Sequence, residues 1–140
     1  MKSIEDFEQD LRIDRQVLDD QIEEHPTLVW QVGDALSQAI SRRDLAKKEY
    51  EEEMAAADAE IRKLAVAAKD KITETQVASR VKLDPGVDDA YVKYLDAKAE
   101  AARWADLKTA FEARGYALRE LVELYVNDYW APGVGSAKSK

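Results

Sequence analysis

Apolar residues recur every three or four positions along most of this chain, and no stretch alternates in the manner of a strand. Residues 1–12 read as a loosely ordered lead-in. "IDRQVLDDQIEE" then predicts a short helix, with Asp14 as N-cap and Val17, Leu18 and Ile22 on one face. His25-Pro26 is expected to break it, because a residue before proline disfavours the α region. A second helix is predicted from Pro26 to about Lys69. Its stripe begins with Leu28, Val29, Val32, Leu36, Ala39 and Ile40, then thins through Tyr50, Met54, Ala57, Ile61 and Leu64.

The stretch "ITETQVA" interrupts this pattern with a new start signal. Thr73 and Gln76 form a capping-box pair, and Ile72 and Val77 occupy the staple positions on either side of the cap. "DPGVDD" is another start: Asp84 as N-cap, Pro85 at the first helical position, Asp88 and Asp89 in the first turn. From there a heptad-like seam runs Ala90, Tyr94, Ala97, Ala101, Trp104, Lys108, Phe111, Gly115, Leu118, Val122, Tyr125, Tyr129. "YWAPGVG" ends the helix, and residues 131–140 are expected to be a flexible tail after a single helical domain of residues 1–130.

Two long helices joined by a short connection must run antiparallel. The fold class is therefore all-α, a long antiparallel helical hairpin with short capping helices. Scarce Gly (5) and Pro (3) agree with long helices. The second long helix carries more apolar surface than one partner helix covers, including Tyr91, Leu95, Leu121, Leu124, Val126 and Trp130. This predicts a homo-oligomer, with an interface at Tyr94, Trp104, Phe111, Leu118, Leu121, Val122, Tyr125 and Tyr129. The alternative is a compact three- or four-helix monomer. The three tryptophans, Trp30, Trp104 and Trp130, are read as core or interface anchors, and His25 as a helix-boundary residue.

Composition narrows the chemistry. With no Cys and a single His, thiolate metal sites, disulfides and a Ser/His/Asp triad are not expected. Glu51, Glu52 and Glu53 are consecutive, so they spread around a helix and do not converge on a metal. No phosphate loop or nucleophile elbow is present. We expect no enzyme activity, no cofactor and no metal. The acidic start lacks the apolar core of a secretory signal, and no apolar run reaches the roughly eighteen residues of a membrane span. A cytoplasmic, soluble protein is expected.

Formal net charge is −8. Residues 1–70 hold 18 acidic and 10 basic residues, and residues 71–140 hold 11 of each. Against this, the window from Arg62 to Lys82 holds Arg62, Lys63, Lys69, Lys71, Arg80 and Lys82 but only Asp70 and Glu74, a local +4. Such a patch suits an anionic polymer, single-stranded DNA or RNA, held through its phosphates. Repetition of the patch around an oligomer would multiply weak contacts. The plain reading is surface Lys and Arg around a loop.

The order of "IDRQVLDDQIEEHPTLVWQVGDALSQAISRRDLAKKEYE", "EIRKL", "ITETQVASRVKLDPGVDDAYVKYLD" and "ARGYALREL" resembles the small phage recombination mediators of the UvsY type. The likeness covers roughly residues 10–130 and rests on layout. It implies a helical, ring-like homo-oligomer that binds single-stranded DNA without sequence preference. It implies partners too: a strand-exchange recombinase and single-strand-binding protein, in the host cytoplasm if phage-encoded. The family's Lys-x-Arg pair near the end of the first long helix falls on Glu60-Ile61-Arg62, where Arg62 fits and Glu60 departs. The remaining candidates, Lys63, Lys69, Lys71, Arg80 and Lys82, lie around the connector. The rival expectation is an acidic helical scaffolding or assembly protein with no nucleic-acid role.

Overall fold

A computed structural model describes residues 2–127. Among these the chain is all helical: α1 (Ile4–Asp10), a 3-10 turn (Arg15–Val17), α2 (Leu18–Ala67), α3 (Glu74–Leu83) and α4 (Pro85–Val126). The described chain divides into two compact units. One combines residues up to Leu36 with those from Arg103, and the other spans Ser37–Ala102. Tyr129, Trp130 and the tail at 131–140 lie outside the described residues.

In the first unit, α1 replaces the expected loose lead-in. Ser3 caps it: its hydroxyl accepts from the Asp6 N–H, and the Asp6 carboxylate accepts from the Ser3 N–H. The helix exists to bury Ile4 and Phe7. Phe7 meets Trp104 and Phe111 edge-on, at 5.8 and 6.2 Å between centroids. Phe111 is fully buried, and Leu28, Val32, Ala35, Leu107 and Leu118 fill the remaining core. Arg103 ties α4 back to Glu5 of α1.

The expected break at His25-Pro26 does not occur; α2 runs through it. The proline removes the N–H that would meet the Ile22 carbonyl. Pro26 itself is exposed. The burial stripe explains the continuity. Leu18, Gln21, His25, Leu28, Val32, Ala35 and Ala39 alternate steps of three and four, and all are buried or half-buried. Breaking the helix at residue 25 would rotate Leu18 away from the core. Asp14 does cap the chain here, accepting from the Gln16 N–H at the start of the 3-10 turn.

In the second unit, α2 packs against α4 along a thinner seam. Tyr50 lies against Tyr91 and Tyr94, and Arg42 pairs with Glu100. These pairings, with rising numbers on α2 meeting falling numbers on α4, make the two helices antiparallel within this unit. The α2 face turns to Ala65 at its end, leaving Leu64 59 % exposed.

Candidate nucleic-acid interface

The elbow between α2 and α4 is built by local chemistry at three helix boundaries. The first ends α2. Lys69 adopts φ 57°, and the Asp70 and Lys69 N–H groups donate to the carbonyls of Ala65 and Val66 at 2.9 and 3.1 Å. This is a Schellman closure with lysine in the left-handed position that glycine usually fills. The second starts α3. The Thr73 hydroxyl accepts from Gln76 N–H at 3.2 Å, and the Gln76 side-chain oxygen accepts from Thr73 N–H at 3.0 Å. The third joins α3 to α4, where Asp84 Oδ1 accepts from the Gly86 and Val87 N–H groups.

Hydrophobic packing fixes these boundaries. Ala57, Val77, Val81 and Val87 form one buried cluster, with Tyr50, Met54, Ile61 and Ile72 packed on it. Ile72 and Val77 therefore act together as the expected staple. Gly86 sits close under Glu53, whose Oε2 would lie 3.1 Å from a Cβ added there.

Arg62 is engaged by two carboxylates of its own chain. Its Nε donates to Asp58 at 2.7 Å, and its two terminal nitrogens straddle Glu74 at 2.9 and 2.6 Å. This fork clamps the end of α2 to the first residue of α3. The clamp holds the Glu74 carboxyl below its usual range, chiefly through these hydrogen bonds. Both carboxylates neutralise Arg62, so it is poorly placed to meet a phosphate.

The other five cations, Lys63, Lys69, Lys71, Arg80 and Lys82, are exposed and make no ion pair among the described residues. They do not form one tight patch. At about 100° per residue, Lys63 lies roughly opposite the Ala57–Ala65 stripe, and Arg80 and Lys82 flank Val77–Val81 on two sides. The elbow thus carries its five exposed cations spread around it.

The expected oligomer-interface residues separate into groups. Trp104, Phe111 and Leu118 are buried within the chain itself, which corrects their assignment to a surface between copies. Trp104 and Phe111 meet Phe7 of α1, and Phe111 also stacks on His25 of α2, a packing that a loose lead-in would not provide. Tyr94, Leu121 and Val122 are half-buried, and Tyr125 is 60 % exposed. Trp30, expected to be an anchor, is 70 % exposed.

One pair is not foreseen by the sequence reading. Arg114 is buried and its Nη1 lies 2.7 Å from His25 Nδ1. A signal for it exists: position 114 lies three residues after Phe111 and four before Leu118, on their buried face, where a charge demands a partner. Among the described residues no acidic or histidine group gathers as metal ligands, and no helix is long and apolar enough to cross a membrane. No family model, curated protein or solved structure matches the chain.

Proposed function

We propose that this protein is a non-enzymatic recombination mediator that binds single-stranded DNA through its elbow as a homo-oligomer and helps load a strand-exchange recombinase. The observation that carries the binding reading is the set of five exposed cations without ion pairs, held on a capped and clamped reversal in a chain of net charge −8. Phosphate contacts need mobile cationic side chains on a firmly placed backbone, and the caps at Thr73 and Asp84 supply that backbone. The resemblance of layout to UvsY-type mediators names the recombinase and single-strand-binding protein as partners. Exposed apolar side chains toward the end of α4, Leu124, Tyr125 and Val126, support self-association.

A second reading is favoured by the Arg62 clamp and the acidic charge: a helical scaffolding protein without a nucleic-acid role. Anisotropy of a labelled single-stranded oligonucleotide at low and moderate salt, together with light scattering, separates the two. Salt-sensitive binding by an oligomer is the result expected of a mediator. An oligomer indifferent to DNA selects the scaffold.

A further inference from the structure

The His25–Arg114 contact is unusual because both partners are basic. A guanidinium only donates, so His25 must be neutral and accept at Nδ1, which leaves its proton on Nε2. The ring is held against α4. It stacks on Phe111 at 6.4 Å and 28°, and its Nε2 lies 2.8 Å from where a Cβ on residue 115 would stand. Only glycine at 115 leaves room for it.

Arg114 also has somewhere else to go. It lines a polar cleft of about 510 Å³ together with Gln9 and Asp10 of α1, the linker from Arg12 to Gln16, and Gln21 and Glu24 of α2. Burial disfavours the charge on the guanidinium and lowers its proton affinity, and the Asp10 and Glu24 carboxylates act against that. Its Nε is buried with no hydrogen-bond partner among the described residues. Arg114 therefore leaves a donor unsatisfied while bound to His25, beside a cleft that offers acceptors.

We propose that His25 and Arg114 form an acid-sensitive latch, in which protonation of His25 expels the Arg114 guanidinium into the cleft toward Asp10 and Glu24 and loosens α2 from α4 in this unit. A protonated imidazole has no acceptor at Nδ1 and places a second positive charge 2.7 Å from the first. The groups facing His25 are Arg114, Gly115 and Phe111 from α4. On the cleft side of Arg114 stand the carboxylates of Asp10 on α1, which also pairs with Lys2, and Glu24 on α2, together with Arg12, Asp14 and Arg15 between the two helices. None of them compensates an imidazolium directly. Burial and the Arg114 charge both hold the His25 proton affinity below its ordinary value, so the latch stays closed at neutral pH. It operates independently of any DNA contact at the elbow.

The test is an NMR titration of the full chain from pH 7.5 to 4.5, following the His25 ring protons and the side-chain Nε–H of Arg114. The expected result is a His25 midpoint below the ordinary ~6.5, with the Arg114 signal shifting at the same midpoint. In His25→Gln the Arg114 shift at that midpoint should vanish, and in Asp10→Asn/Glu24→Gln it should change in size because the second position is lost. An ordinary His25 midpoint, or an Arg114 signal that ignores it, overturns the latch. If His25→Gln fails to fold, the titration of the unaltered chain still decides.

Discussion

The imidazole of His25 occupies the space that a side chain at Gly115 would need, with Nε2 2.8 Å from the position of a Cβ there. Gly115→Ala should therefore destabilise the protein, although alanine favours a helix over glycine by about 1 kcal/mol. Overpacking of this kind costs roughly 1–3 kcal/mol, and His25 has little freedom to yield because Arg114 and Phe111 hold it. Urea unfolding of Gly115→Ala, His25→Ala and the double variant checks it: the Gly115→Ala penalty should disappear once residue 25 is alanine.

Lys69 stands in a left-handed backbone position at φ 57°. Lys69→Gly should raise stability by about 1 kcal/mol by removing the Cβ conflict at the end of α2. Thermal unfolding reads this directly. An unchanged or lowered midpoint would mean that the Schellman closure does not hold in solution.

The Thr73 cap predicts the opposite sign. Thr73→Ala should cost about 1 kcal/mol, and the loss should appear as faster amide exchange across α3, where Val77 and Val81 anchor the elbow. Uniform protection in the variant would show that packing alone holds α3.

Stability should also depend on pH through His25. Its folded-state pKa is lowered, first by burial and then by Arg114, so the unfolded chain binds the proton more readily. The contribution is full above the unfolded value of about 6.5, falls as pH drops below it, and levels off beneath the folded pKa. Glu5, Asp6 and Glu74 are also held below their usual range, but they act in the lower window of carboxylates. Denaturant midpoints between pH 7 and 5 should fall in the parent chain and change less in His25→Gln.

The sequence is most legible where the chemistry is local. Thr73 with Gln76, and Asp84 with the Gly86 and Val87 N–H groups, fix the two helix starts through hydrogen bonds within four residues, so the elbow can be read from those residues alone. The seam on α4 is legible for the same reason, since three-four spacing survives tertiary packing. What the sequence hides depends on distant partners. Pro26 signals a break that the Leu18–Leu28 stripe overrides. The first residues look loose because Phe7 finds Trp104 and Phe111 only across a large gap in sequence. Arg62 looks like a free cation because Glu74 meets it only once the chain has turned.

The exposed cations of the elbow, and not Arg62, are the proposed contacts to single-stranded DNA. The salt dependence of oligonucleotide binding separates them, measured in the parent chain, in Lys63→Ala/Lys71→Ala/Lys82→Ala and in Arg62→Ala. Measurable binding by the parent is expected. The slope of log affinity against log salt should flatten by roughly 0.7 for each phosphate that the lysine variant no longer neutralises, while Arg62→Ala keeps the parental slope. A parent chain that does not bind, or a lysine variant with an unchanged slope, would contradict this assignment.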